Sequence, residues 1–304
     1  MTGLDKTSSA ARNRASVVAL HCSLGSGRQW TKLMGALAGH QFIAPDISGY
    51  GISAGGRDWP STLAEEVAYL GHQLAGATGP IHLVGHSYGG AIAFKLATSE
   101  PYARRIRSLT LIEPVLPTLL RDAPADARLH DRFARVAQDV SQDIFNGAVL
   151  DAIDRFSAFW AGSGPREQVS QGSRLRMIEQ ADKLTFDFAA AFAEENVIAA
   201  ARRLRVPTLL LSGGLSPYVT QRIVHKLAAI IAGAELRHLP EAGHMLPVSH
   251  AVRVNPEIAR HVIRADELAK VQLAADTGGP DAAEAAEPPP SSARPHLVFR
   301  RDFI

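Results

Sequence analysis

Residues 79–101 read GPIHLVGHSYGGAIAFKLATSEP, and the change of pattern at Ser87 decides how the chain is folded. Before it, Ile81, Leu83 and Val84 form a compact apolar run opened by Gly79-Pro80, as a strand buried on both faces would. After it, Ala91, Phe94, Leu96 and Ala97 recur at helical spacing until Glu100-Pro101, where proline cannot continue the helix. Between them lies Gly85-His86-Ser87-Tyr88-Gly89, a G-x-S-x-G sequence. A strand that turns this sharply into a helix forces its central residue into a strained backbone. Side chains at the flanking positions would collide with strand and helix, hence the glycines. The turn leaves the Ser87 hydroxyl exposed at the carboxyl edge of a sheet and aims the Tyr88 amide beside it, near the positive end of the helix.

On the N-terminal side, Val17 to Leu20 reads as a strand ending in the glycine-rich loop His21-Cys22-Ser23-Leu24-Gly25-Ser26-Gly27. A helix bearing Trp30, Leu33, Met34 and Leu37 follows, then a strand at Phe42 to Ala44 and a turn-rich crossover, Pro45-Asp46-Ile47-Ser48-Gly49-Tyr50-Gly51. Asp46 reads as a pin for that crossover, since aspartate commonly caps such turns. Leu63, Val67, Leu70 and Leu74 predict a helix over residues 61–75. On the C-terminal side, Leu109 to Ile112 is a strand closed by Glu113-Pro114. Residues 115–205 then carry only helical patterns and eight aromatic side chains, among them Phe159 and Trp160. Most of these belong to the helices' own core, and some could line a pocket. The sheet resumes at Pro207 to Leu211, with a helix over residues 217–232 and a last strand near Glu235 to Leu239. Alternating strand and helix argues a doubly wound, mostly parallel α/β sheet of about six strands, with a helical cap inserted after the strand ending at Glu113. Residues 17–114 and 206–272 would form the core, 115–205 the cap, 1–16 an N-terminal extension, and 273–304 a disordered tail rich in alanine, proline and acid.

The 304 residues carry a formal net charge of +2 and no basic run interleaved with aromatics, which speaks against a nucleic-acid partner. Cys22 is the only cysteine, so an intrachain disulfide is excluded and the thiol count gives no support for secretion. The start of the chain does not read as a secretory signal, and no apolar run approaches the roughly 20 residues that cross a bilayer. A cytoplasmic protein with no membrane partner is the expectation, with a homodimer left open. His72, His82, His225, His238, His250 and His261 show no spacing that assembles a metal site with acids or Cys22, so neither a metal nor another cofactor is expected.

Taken together, HCSLGSG with Trp30, APDISGYG, GHSYGG and the late AGHM resemble, in that order, the α/β-hydrolase superfamily of the type with a helical lid, over about Val17 to Ile263. The resemblance implies a nucleophile at Ser87 and a general base at His244, with oxyanion donors in the backbone amides of Tyr88 and Ser23. Trp30, His86, Phe159, Trp160 and Met245 become candidate substrate contacts. Two departures stand out. The family's His-Gly at the oxyanion loop is His21-Cys22 here, and with about 16 residues ahead of the first parallel strand its leading antiparallel strands are expected to be missing or shortened.

The third departure is the triad acid. The loop after Leu211 reads Ser212-Gly213-Gly214-Leu215-Ser216-Pro217, with no carboxylate before Ala234. Ser216 before Pro217 reads as a helix N-cap. Glu113, on the same sheet edge as Ser87, is the expected third member, a placement that resembles haloalkane dehalogenases; the alternative is a glutamate anchoring the lid through backbone amides. The leading functional reading is hydrolysis of a small-molecule acyl substrate, an ester, lactone or related compound, through an acyl-serine. Carbon–carbon bond hydrolysis and cofactor-free perhydrolysis would use the same triad, and a slow-turnover binding or receptor module is the competitor from another class. Ser87 in place of an aspartate speaks against dehalogenase and epoxide hydrolase chemistry.

Overall fold

The computed structural model describes residues 15–53, 58–77, 79–121, 124–164 and 169–277. Six parallel strands form one sheet in the order β2-β1-β3-β4-β5-β6: β1 Ser16–Leu20, β2 Gln41–Ile43, β3 Ile81–His86, β4 Ile106–Ile112, β5 Thr208–Gly213 and β6 Glu235–Leu239. The strands read as continuous apolar runs because both faces are covered. Val17, Ala19, Val84, Ile112, Leu209 and Leu211 join one buried cluster, while Val18, Leu20, Leu83, Leu109, Leu111 and Leu210 join the other. The alternation follows the two-residue period of a pleated strand.

On the first face lie α1 (Thr31–Ala36) and the early turns of the final helix, through Leu33, Val254, Ile258 and Val262. The second face is covered by α2 (Leu63–Gln73) and α3 (Tyr88–Thr98), through Leu63, Leu70, Ile92 and Phe94. Helix α2 is shorter than residues 61–75 because Thr62 and Glu65 close a reciprocal capping box at its start, and the chain tightens into a 3-10 turn after Gln73. Between β4 and β5 the described residues form six helices: α4 Thr118–Arg121, α5 Pro124–Phe145, α6 Val149–Ala161, α7 Gln171–Glu179, α8 Lys183–Ala193 and α9 Val197–Arg203. Helix α10 (Tyr218–Ile230) returns to the sheet, α11 (Leu246–Ser249) follows β6, and α12 runs from Ala251 to Thr277.

Two expectations change here. Residues 273–277 are helical, the end of α12, where alanine-rich sequence favours the helix more than its tail-like composition suggests. The N-terminal segment up to residue 14 and residues 278–304 lie outside the described residues. Ser216 is not a helix cap: Pro217 holds the N-cap position of α10, and the Ser216 hydroxyl is buried without a hydrogen-bond partner. No helix among the described residues is long and apolar enough to cross a membrane.

Candidate active site

Every side chain of the candidate site leaves from the carboxyl edge of the sheet or from the inserted helices above it. Ser87 follows β3 at φ 57°, ψ −120°, a conformation that L side chains rarely adopt. The flanking glycines are required sterically: a Cβ at Gly85 would lie 2.4 Å from the Gly89 carbonyl oxygen, and one at Gly89 would lie 2.2 Å from the His21 carbonyl oxygen. The strained turn is held by the Ser87 N–H donating to Ile112 and by the Ser87 carbonyl accepting from Val115, at 2.9 and 3.1 Å.

Ser87, His244 and Glu113 come together from the ends of β3, β6 and β4. His244 Nε2 lies 2.9 Å from Ser87 Oγ, and His244 Nδ1 lies 2.6 Å from Glu113 Oε2. With the carboxylate accepting from Nδ1–H, Nε2 is left as the acceptor facing the serine hydroxyl. Glu113 is fully buried, and its other oxygen accepts the Gly213 N–H at 2.7 Å. The loop after β5, which carries no acid, thus meets the Glu113 carboxylate through its backbone. Glu113 also sits at φ 44°, a second strained position immediately after its strand.

His86 is wholly buried and points away from the cavity. Its Nε2–H donates to the His244 carbonyl at 2.8 Å, and its Nδ1 accepts from the Gln29 amide at 3.1 Å. Gln29 in turn accepts the Cys22 N–H and contacts its sulfur, both at 3.3 Å. Burial, seconded by the His244 ring, holds the His86 imidazole well below its ordinary pKa, which keeps it neutral in this chain of bonds. His21, also lowered by burial, donates from Nδ1 to Cys22 at 2.7 Å and accepts the Ile47 N–H at Nε2 at 2.9 Å. Asp46 accepts the N–H groups of Gly27 and Ile52 at 2.7 and 2.9 Å, and so binds its crossover to the loop after β1.

A cavity of about 930 Å³ opens over Ser87 and His244, with Ser23, Trp160, Met177 and Met245 in its wall. A small void of about 10 Å³ beside Ser87 is bounded by Ser23, Tyr88, Phe156, Trp160, Leu184 and Phe188 among others. The void brings Phe156, Trp160, Leu184 and Phe188 together with the carboxylate of Asp187, and the lining of the larger cavity includes Arg28, Asp154, Arg174 and Arg176. Trp160 lies flat on His244, ring centroids 4.2 Å apart at 19°. Three expected contacts are placed elsewhere: His86, which is buried in the hydrogen-bond chain behind His244, Trp30 and Phe159. Trp30 is 1% exposed and packs with Leu33 and Leu246 under the sheet, because its helix turns that face inward. Phe159 stacks on Phe133 at 5.2 Å within the inserted helices, one residue round the helix from the cavity-facing Trp160.

The structure also gathers groups that carry no sequence signal. Lys183 and Glu66 are fully buried, and Lys183 Nζ lies 2.7 Å from Glu66 and 2.5 Å from Asp187. Asp187 reaches Ser23 and Tyr50, and Glu66 accepts from the Tyr88 hydroxyl. The Lys183-to-Asp187 spacing of one helical turn was the only available hint. On the opposite edge of the sheet, His40, His82 and Asp266 bring one ligand atom each within 4.8 Å of one another. Histidine spacing had not pointed to this cluster. The Arg107 guanidinium lies 2.7 Å from the same carboxylate, so a cation already occupies it and the cluster reads as an ion-pair strap for α12.

Comparisons with known proteins agree with the architecture. A family model described as alpha/beta hydrolase fold matches residues 15–251. The magnesium-chelatase 30 kDa subunit of Rhodobacter capsulatus is 27% identical over 242 residues, covering 75% of this chain and 79% of that protein. Lipase LipV of Mycobacterium tuberculosis is 34% identical over 103 residues, covering 34% of this chain and only 38% of the lipase. Among solved structures, a bromoperoxidase from Bacillus anthracis superimposes with a TM-score of 0.65 at 21% identity, over 82% of this chain and 92% of that one.

Proposed function

Because the chain belongs to the α/β-hydrolase fold family, we propose that it is a serine hydrolase cleaving a small ester, lactone or related acyl compound through an acyl-Ser87 intermediate. The observation that carries this reading is the continuous hydrogen-bonded series Ser87–His244–Glu113, at 2.9 and 2.6 Å, on a strained elbow facing a cavity. In this mechanism Ser87 Oγ attacks the acyl carbon while His244 Nε2 takes its proton. Glu113 holds the imidazole in the required tautomer and offsets the charge it gains. Tyr88 and Ser23 border the small void beside Ser87, and their backbone amides would stabilise the tetrahedral oxyanion, each donor being worth about 3 to 4 kcal/mol. His244 then protonates the leaving alcohol, activates a water against the acyl-enzyme, and returns the proton to Ser87.

The apolar side chains of Phe156, Trp160, Met177 and Met245 in the wall of the larger cavity support a substrate with an apolar or aromatic portion. A p-nitrophenyl ester tests the reading. The wild-type protein should release a stoichiometric burst of p-nitrophenol that Ser87→Ala lacks. A burst that survives Ser87→Ala removes Ser87 from its role, and binding of the ester without any turnover points to a receptor module instead.

A further inference from the structure

A second charged cluster lies against the reacting atoms, and the mechanism above does not use it. Asp187, on α8, borders the small void at Ser87. Its Oδ2 accepts from the hydroxyls of Ser23 and Tyr50, both at 2.5 Å, and its Oδ1 is held by Lys183 at 2.5 Å. Lys183 is anchored in turn by Glu66 of α2 at 2.7 Å, and its ammonium lies over the Tyr50 and Tyr88 rings at 5.7 and 5.1 Å. The cluster therefore joins the inserted helices, the sheet-covering helix α2, the crossover loop, the oxyanion loop and the elbow at one buried point.

Such a cluster is a costly way to hold a fold together. Each buried ion loses several kcal/mol of hydration, and apolar side chains of similar volume often stabilise as well. Its contribution is direction, because a carboxylate fixes the hydroxyl it accepts. Ser23 needs fixing: the next residue, Leu24, sits at φ 57°, so the loop is held in a conformation it would not choose alone. Oδ2 accepts both hydroxyls and Oδ1 faces the Lys183 ammonium, so the carboxylate is turned to these three donors. Lys183 offsets the Asp187 charge, which would otherwise oppose an oxyanion forming in the adjacent void.

We propose that Asp187 is a positioning residue for the reaction: by accepting the Ser23 hydroxyl it sets the direction of the Ser23 backbone N–H toward the oxyanion, and Lys183 with Glu66 holds Asp187 for that task. This rests on the reading of Ser87 as nucleophile and of the Ser23 amide as oxyanion donor. The assignment makes the inserted helices part of the transition-state machinery as well as a wall of the cavity.

The test uses the full chain and an alkyl fluorophosphonate, whose reaction with an active serine builds up charge on a phosphoryl oxygen and needs no knowledge of the natural substrate. The second-order labelling rate is measured and the labelled peptide identified by mass spectrometry. Ser23→Ala and Asp187→Asn should each slow labelling of Ser87 at least tenfold. The double variant should be no slower than the slower single within about twofold, because the two residues act as one unit. Ser23→Thr keeps the hydroxyl and should stay within about threefold of wild type. Where Asp187→Asn fails to fold, Ser23→Ala in its loop decides the matter. A wild-type rate in Ser23→Ala, or losses that multiply in the double variant, overturns the proposal. Wild-type protein that resists labelling, or label retained by Ser87→Ala, instead overturns the nucleophile assignment beneath it.

Discussion

Glu113→Gln is the sharpest test of the relocated acid. Both carboxylate oxygens accept: Oε1 from the Gly213 N–H at 2.7 Å and Oε2 from His244 Nδ1 at 2.6 Å, with the Thr220 hydroxyl farther off at 3.4 Å. Glutamine has one acceptor oxygen. If its oxygen faces Gly213, its NH2 faces His244, whose Nδ1 must then accept; Nε2 carries the proton and cannot take the one on Ser87. If it is turned round, the amide NH2 meets the Gly213 N–H, a donor against a donor in a fully buried place. The wrong tautomer costs about 10⁴ in kcat in the well-studied serine protease case, or about 5.4 kcal/mol at 1.36 kcal/mol per tenfold. A buried donor left unpaired costs about 1 to 3 kcal/mol of stability. Thermal unfolding and ester turnover, or fluorophosphonate labelling, measure both. Ser216→Ala serves as the companion variant. Because the Ser216 hydroxyl caps nothing and has no partner, it should lose neither activity nor stability. An active Glu113→Gln beside an inactive Ser216→Ala would refute the assignment.

Ser87→Gly should be at least as stable as Ser87→Ala and exceed it by up to about 2.5 kcal/mol. Alanine keeps a Cβ at φ 57°, whereas glycine relieves strain of about 1 to 3 kcal/mol at an entropic cost of about 0.5 to 1; calorimetry showing alanine the more stable would remove strain from the elbow. Glu66, pushed up to about 7 chiefly by burial against the opposing pull of Lys183, binds a proton in the fold that the unfolded chain has released. Its contribution therefore makes the protein lose stability as pH rises from about 4.5 to about 7, by about 3 kcal/mol in all. His86 and His21, lowered by burial, act the opposite way, losing stability as pH falls through and below their ordinary value. The comparison is therefore the stability-against-pH curve of Glu66→Gln minus that of wild type: it should rise with pH over that window, and a flat difference would show that Glu66 is not the titrating group. Trp160→Ala removes the ring on His244 and enlarges the cavity over Ser87. It should cost about 3 to 5 kcal/mol of stability and raise kcat/KM for hexanoate relative to acetate esters at least tenfold; an unchanged ratio would take Trp160 out of the acyl wall.

The parts of this protein that the sequence alone determined are those whose cause is local. The change from strand to helix at Ser87, the glycines that let β3 pass into α3, and the six-strand alternation follow from side-chain periodicity and steric conflict within a few residues. A buried glutamate closing β4 was legible as an oddity for the same reason: an acid ending a strand that is buried on both faces needs a partner, and His244 Nδ1 meets it at 2.6 Å. What only the tertiary structure decided depends on which faces meet. Trp30 and Phe159 looked like Trp160 in sequence, yet the rotation of each helix turns one under the sheet, one into the inserted helices and one onto His244. The Lys183–Glu66–Asp187 cluster joins residues 117 positions apart, and Asp187 reaches Ser23 across 164. No local pattern marks such a contact, because the free energy of burying a charge is set by the partners that folding brings to it and not by its neighbours in the chain.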